Sequence, residues 1–438
     1  MARGVIGYPY PRPPTSFVFV TGAGGAAAGA CAFHPLPNAA WRGADTAAVL
    51  ALPVGPAAPA APATTTRAAP AAGSSTNLAA AAAAGASAAA ARVDNGGGVF
   101  HTLAAALREL HGIEPGELLP PGTPLTPILA IGSNAGPEQL ARKFPPALFP
   151  RGAVVPVIQC VLTGFDVAYA PLISSYGSAT ATLEASPGTE VEVFITYLTP
   201  PLQQRMHETE GAYDLLRLDG IHLEEGRALA GSEWSSRTLD SVYQYNHSLG
   251  TLHLPLARRG GGGRGGGGGG ASPIALAEIP ATGRRFPALT QVEMQAALMR
   301  GFLQGSASSG GSASASAGGS GGDSDDAEAV WGAGAAAAAA GPLAPVELPA
   351  AAAAPLRSSA ASAAAAGGAS GNGGSGGGAA AFDGGGGGDL EEFILSNLRL
   401  PGVRAARVAA LAAHAAPFSY LRHERLMTLG SMFSKNVE

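Results

Sequence analysis

Two cysteines in 438 residues, Cys31 and Cys160, exclude a disulfide framework and a thiolate zinc cluster. One falls in a low-complexity tract and the other in a predicted strand, a usage that fits a reducing, cytoplasmic setting with an organelle address left open. Charge is also scarce. Only 13% of residues are charged, and a formal net charge of −5 favours neither nucleic acid nor a membrane surface as a partner. No uninterrupted apolar run is long enough to cross a bilayer without alanine and glycine dominating it. The histidines are scattered. His207 precedes Glu210 by one helical turn, but no further ligands stand at matched spacing, so no metal site is expected. The segment from Pro9 to Val20 looks foldable, which argues against a cleaved targeting peptide.

What is abundant is small: 64 glycines, together with long alanine-glycine-serine tracts. Such tracts offer little apolar surface to bury and are expected to be disordered. Removing them leaves one core, interrupted in sequence. Residues 1–21 read as its N-terminal strand region, centred on Ser16 to Val20, and residues 22–98 as a low-complexity insert. Residues 99–258 form the main part, 259–271 a Gly-rich loop, 272–303 a continuation with a helix, 304–388 a second insert, and 389–438 C-terminal helices at Leu390 to Leu398 and Val403 to Ala413. The helix in the continuation carries a capping box, Thr290 with Glu293, and an apolar stripe of Met294, Leu298 and Phe302. Long insertions are compatible with one fold because loop-closure entropy rises by only about 0.6 kcal/mol per doubling of length.

Two Gly-rich features imitate binding motifs. Phe17 to Gly29 resembles the strand and phosphate loop of a dinucleotide-binding unit, but Pro35, Pro37 and alanine-proline repeats follow where a helix and second strand are required. Arg258, Arg259 and Arg264 within polyglycine resemble an RGG-type RNA contact, for which a spacer loop is the commoner explanation.

The richest stretch is Ser186 to Tyr213. Pro187-Gly188 marks a turn, and Val191, Val193, Ile195 and Tyr197 alternate with polar residues as in a half-buried strand. Thr199 then caps a helix that opens at Pro200. Leu202, Met206 and Glu210 fall on one helical stripe, with Glu208 well round the other side. Gly211 reads as a left-handed stop. A carboxylate on an apolar stripe at a helix C-terminus is disfavoured as an anion by burial and by the macrodipole, both of which raise its proton affinity. That suits a general acid/base. The alternative is a helix-end glutamate turned to solvent or paired with Arg205 or Arg217. On the acid/base reading Glu210→Gln leaves the melting temperature almost unchanged.

A second stretch, Thr126 to Phe144, reads as strand, tight polar loop and helix. Ile128 to Ile131 are followed by Gly132-Ser133-Asn134 and a helix opening near Pro137. Outward N–H groups and a helix N-terminus suit a carboxylate or a developing oxyanion, although Asn134 can equally serve as a tolerant loop residue. Tyr176, in Tyr176-Gly177-Ser178, and Tyr213 are further candidates for the same cavity; packed rings are the alternative for both.

Together the two stretches resemble the gamma-glutamylcyclotransferase family, which has a Tyr-Gly-Ser-Asn loop after its first strand and a catalytic glutamate in a Glu-Gly pair. Ile131-Gly132-Ser133-Asn134 stands for the first motif and Glu210-Gly211 for the second. Phe165 to Tyr169, Ala181-Thr182-Leu183 and Ser186-Pro187-Gly188 with Glu190-Val191 stand for the strands and turn between, and the resemblance covers Pro127 to about Tyr245. Ile131 replaces the loop tyrosine, Val193 a usual glycine, and Gly211-Ala212-Tyr213 a longer link.

The resemblance implies an α+β fold, a small mixed β-barrel or sheet with flanking helices. It also implies a transferase or lyase of glutathione-type metabolism that cyclises a gamma-glutamyl group to 5-oxoproline and releases an amine or peptide. Glu210 is then the acid/base, and Ile131, Gly132, Ser133, Asn134, Tyr176 and Tyr213 contact the small-molecule substrate, with no cofactor. The alternative is a catalytically silent protein of the same fold that binds a small acidic ligand or a protein partner. The oligomeric state has no signature in the sequence.

Overall fold

The computed structural model describes residues 8–22, 31–60, 101–230, 237–254, 256–257, 271–309, 346–347 and 387–429. The strands that matter for the site are, in chain order, β1 (Phe17–Thr21), β2 (Cys31–Pro35), β3 (Thr126–Ala130), β4 (Ala153–Ile173), β5 (Ala179–Leu198), β6 (Tyr213–Glu225), β7 (Arg237–His247) and β8 (His423–Thr428). β4 is nearly all apolar and rich in valine, which suits a strand covered on both faces; most of its residues are buried. It turns through Ser174 to Ser178 into β5 and pairs with it antiparallel along most of its length. The predicted turn at Pro187-Gly188 lies within β5 as an exposed irregularity, with Gly188 at φ +85° facing a second positive-φ glycine, Gly164, across the register shift.

Five strands close on themselves. β5 pairs with β3, β3 runs parallel to β7 through Tyr243↔Ile128 and Gln244↔Leu129, β7 pairs with β6, and β6 returns to β4 through Cys160↔Glu225. The expected mixed β-barrel or sheet with flanking helices is therefore the architecture observed. Beyond the ring, β1 extends the sheet from β4 and β2 from β1, all antiparallel. Those antiparallel pairings are not the parallel βαβ of a dinucleotide fold. Leu129, Tyr169, Leu183, Val193 and Ile195 belong to one apolar cluster. A second cluster joins Phe17, Phe19 and Phe194 to α1 (Pro137–Lys143) and α2 (Pro200–His207) through Leu140, Phe144, Leu202 and Met206.

Several expectations are corrected. Residues 31–60, read as part of an insert, form β2, a short helix Thr46–Leu50 capped by Asp45, and buried contacts of Trp41, Val49, Leu52 and Val54. Their apolar side chains cover the barrel despite the alanine-proline background. The C-terminal region contains the expected helices, Gly387–Arg399 and Pro401–Ala412, but also β8, which pairs with β6. α2 ends at His207, and Gly211 is not among the positive-φ glycines, so no left-handed stop occurs there. Thr199 precedes α2 without a side-chain capping bond. The capping box at Thr290 and Glu293 forms as expected, with Glu293 Oε2 accepting from both the N–H and the hydroxyl of Thr290. Residues 23–30, with the glycines of the phosphate-loop imitation after Gly22, and Arg258, Arg259 and Arg264 lie outside the described residues, as do most of the long tracts.

Next to this added layer, His34 and His111 share a buried Nε2–Nε2 hydrogen bond of 2.8 Å, while His34 Nδ1 bonds the Gly55 carbonyl at 2.9 Å. Burial pushes the His111 pKa down from 6.5 to about 4, helped by the neighbouring ring, and pushes His34 down as well. A depressed folded-state pKa means the unfolded chain takes up the proton first, so this contribution is complete above the ordinary value of 6.5 and is lost as pH falls toward about 4. The melting temperature is expected to drop over that window. In His111→Leu the acid limb should be shallower by about one proton, roughly 1.4 kcal/mol per pH unit. Denaturant titrations across pH check this; an unchanged slope refutes it.

Candidate functional site

β3 delivers the polar loop. Fixed between β5 and β7, it ends at Ala130, and Ile131 and Gly132 lead into a single 3-10 turn, Ser133–Ala135. Within that turn Gly136 N–H closes on the Ser133 carbonyl at 2.8 Å, while the N–H groups of Gly132, Ser133 and Asn134 meet no acceptor among the described residues. The following helix α1 has seven residues. It is too short for its N-terminus to serve as the expected anion site, which leaves the loop N–H groups as the donors on this side of the site.

On the other side, α2 brings Leu202 and Met206 into the core, and the chain leaves it through a tight turn that places Glu210 just beyond the helix end. The stripe reading holds: Leu202, Met206 and Glu210 are buried, while Glu208 is exposed and pairs with Arg205 at 2.9 Å. Glu210 N–H bonds the His207 carbonyl at 3.3 Å, and Tyr213 N–H bonds that of Glu210 at 2.9 Å.

The loop and the acid meet. Asn134 Nδ2 donates to Glu210 Oε1 at 2.9 Å. Lys143, 4% exposed, forms a buried ion pair with the same oxygen and reaches Met206 Sδ at 3.2 Å. Neither arginine weighed as a partner is used: Arg205 takes Glu208 and the Lys143 carbonyl, and Arg217 takes Asp219 and Glu424. Oε2 of Glu210 has no hydrogen-bond partner among the described residues. One oxygen is thus locked and the other unengaged.

These groups border a cavity of about 240 Å³. Every residue singled out from the sequence, Ile131, Gly132, Ser133, Asn134, Tyr176, Glu210 and Tyr213, lines it. Tyr176 sits on the β4–β5 turn with its ring 6.0 Å from Tyr10, and burial pushes its hydroxyl up to about 12 against hydrogen bonds from Ser133 and Ser174. The Tyr213 hydroxyl donates to Thr180 Oγ1 at 2.9 Å and bonds the Ala181 carbonyl at 3.2 Å, and burial raises its pKa. His207 is not a lining residue. Its Nδ1 pairs with the Tyr245 hydroxyl at 2.8 Å, and burial lowers its pKa against the pull of Glu210.

Sequence reasoning missed Tyr8, Lys143 and Gln244, which also line the cavity. A signal for Lys143 existed. It is one of two lysines in the chain, the other being Lys435, and it falls on the Leu140–Phe144 stripe of α1 much as Glu210 falls on that of α2. Among the described residues no cluster of His, Cys, Asp and Glu could hold a metal ion, and no helix is long and apolar enough to cross a membrane. Set against protein-family models, curated proteins and solved structures, the chain matches none of them.

The ion pair revises one expectation. Removing one partner of a buried pair strands the other's charge and costs about 3–5 kcal/mol. Glu210→Gln should therefore lower stability by roughly that amount, and Lys143→Met added to it should restore most of the loss. A double-mutant cycle by chemical denaturation measures this. Additive effects of the two substitutions would show that the pair is not coupled.

Proposed function

We propose that the chain is a gamma-glutamylcyclotransferase-like enzyme that converts a gamma-glutamyl amine or peptide to 5-oxoproline and the free amine. The observation that carries this reading is Glu210: Oε1 is anchored by Asn134 and Lys143, while Oε2 is left without a partner beside a cavity. A base needs both properties, because an anchored oxygen fixes the direction in which the free one takes a proton.

The chemistry asks little of the protein. Oε2 takes a proton from the substrate's α-ammonium, and the amine nitrogen attacks the γ-carbonyl carbon. The carbonyl oxygen gains the negative charge and is received by the N–H groups of Gly132 to Asn134. The tetrahedral centre then collapses, and the bond from carbon to the leaving nitrogen breaks as Glu210 returns the proton to that nitrogen. The ring nitrogen gives up its second proton through Glu210 to the departing amine, which leaves as an ammonium and regenerates the carboxylate. Closing a five-membered ring already unites the reactants, and well-oriented intramolecular reactions reach effective molarities on the order of 10⁵ M or more. The closed mixed barrel with two short helices at the loop and the acid is compatible with the fold the resemblance implies.

The Lys143 ion pair favours a second reading, in which Glu210 is a structural anion and the cavity binds a small acidic ligand without turnover. The two part cleanly in a screen of gamma-glutamyl amines and peptides for 5-oxoproline release. The enzyme reading expects turnover by the wild type and none by the stably folded Glu210→Gln/Lys143→Met protein. Undiminished release by that variant sinks it. Saturable uptake without product, weakened by Asn134→Ala, is the result expected of a silent binder.

A further inference from the structure

Tyr8 enters the cavity from outside the segment that carries the recognisable motifs. It is 4% exposed, and its hydroxyl accepts the Ala181 N–H at 2.9 Å, a contact between residues 173 positions apart. The same hydroxyl lies against the open face of Gly132: a Cβ built there would stand 2.6 Å from Tyr8 Oη. Tyr8, Gly132 and Ala181 all line the cavity, so the hydroxyl lies between two of its wall residues. Having accepted one bond, the oxygen keeps its own proton to give, and among the described residues nothing receives it. Burial holds this phenol well above its ordinary pKa, which keeps the proton in place. The neighbouring hydroxyls are engaged elsewhere, Tyr213 with Thr180 and Ala181 and Tyr245 with His207. Ile131, in the loop itself, has no hydroxyl.

We infer that Tyr8 is a ligand-contacting residue, whose hydroxyl donates a hydrogen bond to the acyl or carboxylate oxygen that the Gly132 loop receives. This rests on the reading of the cavity as an acyl site, and it assigns to the N-terminal segment a donor that the loop lacks. Gly132 is then required for space, since any side chain there would displace the hydroxyl.

The test compares the full-length wild type, Tyr8→Phe, Gly132→Ala and the double variant in turnover of a gamma-glutamyl peptide, in calorimetric binding of 5-oxoproline and L-glutamate, and in thermal melting. A hydrogen bond to a charged or charge-developing oxygen is worth about 10- to 100-fold, so Tyr8→Phe should lower kcat/KM or carboxylate affinity by that factor. Gly132→Ala should do the same, and adding it to Tyr8→Phe should cost little more, because Phe removes the atom its Cβ would strike. A purely structural tyrosine would lower the melting temperature through the stranded Ala181 N–H and leave kcat/KM and affinity intact, which would overturn the inference. If the wild type turns over and Tyr8→Phe matches it, Tyr8 is wrong and the enzyme reading stands. If the wild type only binds carboxylates and Tyr8→Phe weakens that binding, the enzyme reading fails and Tyr8 stands. Neither turnover nor binding by the wild type overturns both.

Discussion

A lysine ammonium and a glutamate carboxylate, both withdrawn from water, hold together the parts of this molecule on which the proposed chemistry depends. Lys143 closes α1, Glu210 follows α2, and Asn134 comes from the turn after β3; all three converge on one carboxylate oxygen. Two charges in such a place are tolerated only as a pair, because the cost of desolvating either alone exceeds what a single hydrogen bond returns. The Arg205 guanidinium adds a strut by donating to the Lys143 carbonyl at 3.0 Å, so the ends of the two helices are tied by backbone as well as by charge. Position in the fold is fixed by this contact as much as by apolar burial, and the free carboxylate oxygen inherits its orientation from it.

The closed ring of β3 to β7 explains how so much low-complexity sequence can be carried without disturbing that geometry. A ring has no edge at the site, and the added strands β1, β2 and β8 attach to its outside. The N-terminal addition nevertheless reaches the cavity through Tyr8, and it contributes Trp41, whose indole N–H donates to the buried Glu225 carboxylate at 3.0 Å. The C-terminal addition does likewise at Glu184, which accepts the Ser419 N–H at 3.2 Å and the Thr251 hydroxyl at 2.9 Å. Segments that look peripheral in sequence thus satisfy buried acids of the barrel.

How much could be read beforehand follows from the range of each interaction. The strand, turn and helix between Ser186 and Glu210, the Gly132-Ser133-Asn134 loop and the Thr290 capping box depend on spacing within a few residues, and the residues they pointed to line one cavity. The acid's partner was misread because Arg205 and Arg217 are near in sequence whereas Lys143 is 67 residues away. Tyr8 was invisible for the same reason. Residues 31–60 were lost among alanine and proline because their few large side chains follow no clean period, yet a handful of buried anchors is enough to order a short segment against an existing sheet. β8 escaped because an exposed edge strand needs no alternation to pair.

The charge balance of the cavity constrains what it can hold. Lys143 and Glu210 neutralise each other, and among the described residues no arginine lines the cavity, so an anionic ligand meets no net positive charge from them. On the proposed reading its carboxylate or acyl oxygen would be met by neutral donors: loop N–H groups, the Asn134 amide and the Tyr8 hydroxyl. Neutral donors discriminate by direction more than by attraction, which favours a small ligand that carries its own compensating ammonium. A gamma-glutamyl head group is such a ligand. Its ammonium and carboxylate cancel as a zwitterion, and in the proposed reaction the carbonyl would be positioned by geometry, the site facing a charge to stabilise only as the proton moves to Glu210. In that case the cavity's fixed dipoles act most strongly when the reaction needs them and hold the resting substrate only modestly.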